Sequence, residues 1–205
     1  MGRSILIYGK SGSGKSRSLK NFGEEEIFLI NTVGKDLPFR KKFKYTWQCD
    51  DIDRIMEKLS KMPTKTAVID DAGYILSNHF MREHAKPKKG SSQFDLYNDI
   101  ADNFWKLLTA IPKLPPDVNV YILMHESSND YGETKLRTIG KLLDEKVCIE
   151  GLVTICLRCL TDGRRHYFRT QSDGSDISKS PEDMFQLEIE NDLKAVDDRI
   201  REFYQ

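Results

Sequence analysis

What the chain lacks limits it first. No apolar run approaches the roughly 20 residues that a membrane-crossing helix requires, and residues 1–9 pass straight into a strand and a loop without a cleavable signal pattern. The expectation is a cytoplasmic protein. Neither sign of charge is in excess: 32 Lys and Arg stand against 32 Asp and Glu. No overall field therefore draws the chain to nucleic acid or to a lipid surface, and any such contact must come from local patches. Cysteine is scarce, with four among 205 residues. Cys156 and Cys159 invite a metal reading in "CLRC", but zinc needs four converging ligands, and no second CxxC or HxxxH pair supplies them. In a strand, moreover, a spacing of three sends the two thiols to opposite faces. Repeats and long low-complexity tracts are also missing, and the length suits one folding unit with a core of its own.

What is present is an alternation of two patterns. Strand-like apolar runs recur at residues 4–8, 27–31, 66–70, 118–124, 152–160 and 166–170. Helical patterns lie between them at 15–22, 52–61, 73–84, 94–111 and 139–146; the fourth carries Leu96, Ile100, Phe104, Leu107, Leu108 and Ile111 at helical spacing. Strand alternating with helix implies an α/β fold, a mostly parallel twisted sheet with helices on both faces and ligands at the carboxyl ends of its strands. Near the end the pattern changes. Turn residues Thr161, Asp162 and Gly163 separate two strand-like runs, which predicts an antiparallel hairpin, and a last helix follows with Leu193, Val196, Ile200 and Phe203 on one face. From Glu182 onward eight acidic residues face three basic ones, so this helix is either docked with a solvated acidic face or a subunit contact. The expected division is a core over residues 1–185 and an acidic amphipathic helix over 186–205.

The chemistry begins with "YGKSGSGKS". Residues 9–16 fit GxxxxGK[ST] directly behind an apolar strand and ahead of a helical pattern, the context in which the motif cradles phosphates. Gly9, Gly12 and Gly14 let consecutive N–H groups turn inward, and the following helix adds its positive end. Lys10, Ser11, Ser13 and Arg17 complete the predicted ATP-binding stretch. Lys15 would bridge the outer phosphates, and the Ser16 hydroxyl would ligate Mg²⁺. A carboxylate at the tip of a neighbouring strand should support that metal, and "TAVIDD" offers Asp70 for it. Asp71 is read either as the group that orients or deprotonates the attacking water or as the N-cap of the next helix. His125 ends "VNVYILMH" and is read either as a polar sensor of the terminal phosphate or as a structural strand end.

Several phosphate-loop families share this beginning. A small-metabolite kinase needs a cationic lid, for which Arg164 and Arg165 are candidates beside a hairpin turn, and a GTPase would read guanine with NKxD, which "VGKD" at 33–36 does not match. The order of "GKSGSGKS", "TAVIDD", "LMHESS" with a polar loop behind it, and "YFRTQSDGSDISKSP" resembles the RecA-like P-loop NTPase core. Within it, the chain is similar to the small phage and prophage ATPases grouped as phage nucleotide-binding proteins, which include single-strand annealing recombinases. The resemblance spans residues 4–185. It implies an ATPase of phage DNA recombination or replication in the host cytoplasm, working on single-stranded DNA with a single-strand binding protein, as a ring or filament. It also places Lys179 where such proteins send a cation to a neighbour's ATP. One departure stands out: a catalytic glutamate usually follows the second core strand, and here Asn31, Thr32 and Asp36 occupy that region.

For the DNA itself three segments qualify. Residues 40–47, "RKKFKYTW", interleave cations with aromatics; residues 86–93, "KPKKGSSQ", are basic; and the loop 126–138 follows the sensor strand. The last is the first choice under the family resemblance. Two other functions remain open, a nucleoside or nucleotide kinase and an ATP-gated scaffold that binds without turnover.

Overall fold

The computed structural model describes residues 1–86 and 93–205. In chain order its elements are β1 (Arg3–Gly9), β2 (Ile27–Asn31), β3 (Tyr45–Gln48), α1 (Ile52–Leu59), β4 (Thr66–Asp70), α2 (Gly73–Glu83), α3 (Gln93–Ala110), β5 (Asn119–Ser128), β6 (Thr134–Leu136), β7 (Ile155–Thr161), β8 (His166–Arg169), β9 (Glu188–Glu190) and α4 (Leu193–Phe203). The strands form one sheet in the order β3-β2-β4-β5-β1-β7-β8-β9, with β6 paired to β5. Pairing is parallel from β3 across to β7 and antiparallel at β7–β8 and β8–β9. The expected α/β sheet with a C-terminal antiparallel hairpin and helix is what the chain adopts.

The unbroken apolar runs are the strands covered on both faces, as parallel sheets require. Alternate residues feed two cores. Leu6, Tyr8, Ile30, Ile69, Ile122 and Met124 pack with α1, α2 and α3, while Ile5, Ile7, Leu29, Val68, Leu123 and Leu157 pack with Leu193, Val196 and Ile200 of α4. Cys156 falls in the first core and Cys159 in the second, the opposite faces that a spacing of three demands.

Some local readings need correction. Residues 15–22 are not an α-helix: Ser16–Asn21 is a six-residue 3-10 segment, because the Ser18 hydroxyl donates to the Lys15 carbonyl at 2.6 Å and Gly23 follows one residue after its extended end at Phe22. Residues 139–146 shrink to a π turn at Leu142–Lys146, and the run at 152–160 begins only at Ile155, after a 3-10 turn at Glu150–Leu152. The polar loop at 126–138 is largely a hairpin, since β5 continues to Ser128 and pairs antiparallel with β6. Asn129 caps its turn by accepting from the Tyr131 and Glu133 amides at 3.0 and 2.9 Å. In "RKKFKYTW", Tyr45 and Trp47 turn inward while Thr46 and Gln48 face solvent, which is the period-two signature of β3. Among the described residues no helix is long and apolar enough to cross a membrane.

At the amino ends of the central strands α4 is fastened by charge. Asp197, 4% exposed, accepts from Asn119 Nδ2, Tyr121 Oη and Thr66 Oγ1 at 2.8, 2.9 and 3.0 Å. Arg201 completes the cluster, donating to Asp197 Oδ2 at 2.8 Å and to the carbonyls of Asp117 and Lys65. Burial, helped by Asp197, pushes the Tyr121 phenol well up, so it stays a donor. Removing a buried carboxylate strands all of these donors, so Asp197→Ala is expected to lower the unfolding free energy by about 3–5 kcal/mol in urea titration. A loss below about 1 kcal/mol would show that the cluster does not hold α4 to the sheet.

Candidate nucleotide-binding site

The carboxyl ends of β1, β4 and β5 converge on one cleft of about 280 Å³, lined by Gly12, Gly14, Lys15, Ser16, Asp71 and His125 among others. The loop after β1 takes the shape its glycines permit. Gly12 and Gly14 have φ of 78° and 107°, angles that side chains rarely adopt. At Gly14 there is also no room, since an added Cβ would stand 2.8 Å from His166 Nδ1 and 3.2 Å from Asn191 Oδ1. Those neighbours hold the loop from beneath. His166 Nδ1 lies 2.7 Å from the Ser13 carbonyl oxygen, and the Cys159 thiol donates to the same oxygen at 3.2 Å. Burial pushes that thiol up to about 11, so it serves as a hydrogen-bond donor and not as a metal-binding thiolate.

Lys15 is 5% exposed, and its ammonium donates to the Gly9 and Lys10 carbonyls, each at 2.9 Å. Burial lowers its pKa, against the opposing pull of Cys159, Asp71 and Asp70. The Ser16 hydroxyl donates to Asp70 Oδ1 at 2.9 Å, joining the two groups expected to hold a divalent metal. Burial, with the charge of Asp71 beside it, pushes the Asp70 carboxyl up to about 6, although the Ser16 hydrogen bond works the other way. Ser13 Oγ is buried with no hydrogen-bond partner among the described residues. An orphan hydroxyl, inward-turned glycines, a buried lysine and a Ser–Asp pair together match what phosphate oxygens and Mg²⁺ would require.

Asp71 does not cap the next helix. The residue before α2 is Ala72, which makes no side-chain cap, and Asp71 sits at φ 59°, a strained value for a non-glycine. Its carboxylate turns into the cleft instead, with His125 Nε2 3.3 Å from Oδ1 and Lys35 in an ion pair with Oδ2. Burial opposes its charge, but the bonds from His125 and Lys35 prevail and hold its pKa down to about 2. The other ring nitrogen of His125 lies 3.4 Å from Lys15 Nζ, so the histidine stands between the phosphate-loop lysine and Asp71.

A model of the AAA domain matches residues 1–181. The chain belongs to the AAA domain family. No curated protein matches it. Membership makes it a P-loop domain of the ATPase type, with a site for a nucleotide.

Not every expected residue reaches the site of this AAA domain. The Lys10 side chain is exposed on the loop, while Ser11 and Arg17 line the cleft, Arg17 donating to Asn191 Oδ1 at 3.1 Å. Lys179 is half-buried away from it, its backbone bridged to Cys156, whose partner across the sheet is Leu6. Arg165 is tied to Asp162 and Glu188 and lies over the Tyr167 ring, so it forms no lid. Lys35, His166, Cys159 and Asn191 escaped the sequence reading. A signal existed for the first alone, because two adjacent buried aspartates at a strand tip need counter-charges. Beside the cleft, a larger cavity of about 890 Å³ lies under residues 34–43. Asn31 at its wall bonds the Gly34 amide and the Lys35 carbonyl, which fixes the loop that roofs it.

The two glycines should separate in mutants. Gly14→Ala meets both positive φ and the His166 ring, and is expected to cost about 2–3 kcal/mol of stability and most nucleotide affinity. Gly12→Ala, with open space around it, should cost about 1 kcal/mol. Thermal melts with and without a fluorescent ATP analogue check the order; equal effects would contradict the loop geometry.

Proposed function

We propose that this AAA domain is an Mg²⁺-dependent ATP hydrolase acting on single-stranded DNA in phage recombination or replication. It works as a ring or filament of identical chains, beside a single-strand binding protein, in the host cytoplasm. The meeting of Lys15, Ser16, Asp70, Asp71 and His125 over one cleft carries the enzymatic half. Bound Mg²⁺ would supply charge to polarise the terminal phosphoryl group. The chain's own groups do the rest. Lys15 draws the outer phosphates, and the Ser16–Asp70 pair holds the metal. Asp71, with a pKa near about 2, suits accepting a hydrogen bond from the attacking water and orienting it better than removing its proton. His125 fixes Asp71 from one side and faces Lys15 from the other. Lys179, away from its own cleft, acts on a neighbour's.

For the DNA half, the hairpin of β5 and β6 supports the reading best. It begins one residue after His125, and its turn carries Tyr131, 92% exposed, with Lys135 on β6. An exposed aromatic beside cations is the platform on which unpaired bases stack. The segment 40–47 is less suited, because Phe43 is buried, Trp47 stacks on Phe28, and the half-buried Tyr45 ring is already faced by Lys44. Of the segment 86–93, residues 87–92 lie outside the described residues.

Two assays test the halves separately. In Mg²⁺-dependent phosphate release, Lys15→Ala should lower turnover by about 100-fold or more, whereas Lys179→Ala should lower it only where protomers assemble. Undiminished turnover in Lys15→Ala would remove the enzymatic reading. In fluorescence anisotropy with an oligo-dT strand, Tyr131→Ala should weaken binding about tenfold, and wild-type affinity should fall as salt rises. Single-stranded DNA that neither binds nor stimulates turnover at low salt would remove the DNA half alone.

A further inference from the structure

A second lysine reaches the cleft besides Lys15. Lys35 lies on the loop after β2 and lines the same cleft. The backbone there is fixed. Thr32 Oγ1 donates to the carbonyls of both Asp70 and Asp71 at 2.9 Å, and Asn31 accepts from the Gly34 amide at 2.8 Å while donating to the Lys35 carbonyl at 2.7 Å. Gly34, at φ 76°, makes the turn. These bonds tie the start of the loop to the tip of β4 and close the turn that carries Lys35. Its side chain by contrast is 49% exposed and ends on Asp71, which is 3% exposed.

Asp71 has a second partner in His125, at 3.3 Å. When Lys35 leaves, His125 still holds the carboxylate through Oδ1, while Oδ2, whose contact is Lys35, is freed inside the cleft. The end of a nucleoside triphosphate offers more negative charge than one carboxylate, at the mouth of the same cleft that Lys15, Ser16 and Asp71 line. We propose that Lys35 is the cation of the same chain that reads the terminal phosphate: it exchanges Asp71 for the terminal phosphoryl oxygens of ATP and leaves Asp71 to His125. This rests on the nucleotide reading of the cleft. Its consequence is discrimination. Lys35 contacts the triphosphate and not the diphosphate, so the chain separates ATP from ADP without help from a neighbour.

A lysine that only neutralises Asp71 would affect both nucleotides alike, so the ratio of affinities decides. Isothermal titration with a non-hydrolysable ATP analogue and with ADP, both in Mg²⁺, compares wild type with Lys35→Ala and Lys35→Arg. Lys35→Ala should lose about ten- to hundredfold in affinity for the triphosphate and keep its affinity for ADP, and Lys35→Arg should recover most of the loss. Retained ADP binding also shows that the variant is folded. Equal losses for both nucleotides, or none for either, overturn the proposal while leaving the ATPase reading intact. Wild-type protein that binds the analogue but releases no phosphate from ATP overturns that reading instead, and the affinity ratio still decides Lys35. Wild type that binds neither nucleotide overturns both.

Discussion

Ser16 and Asp70 meet through a 2.9 Å hydrogen bond although the strands that deliver them are not neighbours, because β5 runs between β1 and β4. That inserted strand sets the plan of the cleft. Its parallel register pairs Gly9 with His125 on one side and Ile69 with Ile122 on the other, so the end of β5 projects His125 between the phosphate loop and the aspartate pair. Lys15 and Asp71, each at most 5% exposed, then lie on either side of one imidazole, and Asp70, buried beside them, is held by Ser16. Buried charges of this kind persist only where each has a partner: Lys15 has the Gly9 and Lys10 carbonyls and His125, Asp71 has His125 and Lys35, and Asp70 has the Ser16 hydroxyl. With two lysines against two aspartates the cleft is near balance by itself. The extra charge of a triphosphate has to be met by the turned amides of residues 11–14 and by a metal, which is why the glycine geometry matters as much as the side chains.

The opposite end of the sheet solves a similar problem without chemistry. Asp197 and Arg201 draw together Thr66, Asn119 and Tyr121, from the amino ends of the two strands whose other ends carry Asp70 and His125. The residues of α4 lie beyond the stretch matched by the family model, yet Leu193, Val196 and Ile200 are buried in the second core. The acidic residues of 186–205 are thus divided between β9, the Asp192 cap and both faces of α4. Asp197 is acidic for the inner face, where a charge can serve only because four donors converge on it.

How much of this was legible follows from the range of each interaction. Strands β2 and β4 stand where their unbroken apolar runs lie, because burial on both faces leaves no other reading. Strand β3 was hidden by its flanking lysines, although Tyr45 and Trp47 alternate with polar residues, and β9 by being three residues long with glutamate at both ends. The phosphate loop could be read residue by residue because its chemistry is local to nine positions. The two aspartates announce the need for a counter-charge but not that Lys35 supplies it, and nothing announces His166, because what makes them part of the site is the distant residue each one meets: Asp71 for the first, the Ser13 carbonyl for the second. A lysine in a charged loop looks like any other until the topology brings β2 beside β4.

The same strand that carries His125 also carries the next buried charge. Glu126 is held by Arg158 at 2.9 and 3.1 Å, and Arg158 reaches on to Asp176 and to Thr134 of β6. Arg158 and Glu126 keep 13% and 2% of their side-chain surface exposed, so this is a desolvated pair whose rupture would leave a buried charge behind. Adjacent residues of β5 therefore face two different tasks: His125 turns to the cleft and Glu126 clamps the root of the hairpin to β7. Because a strand alternates its side chains at a fixed pitch, His125 cannot shift along the strand without dragging Glu126 against Arg158. The hairpin with Tyr131 at its turn is thus carried by the histidine strand and clamped at its root to β7.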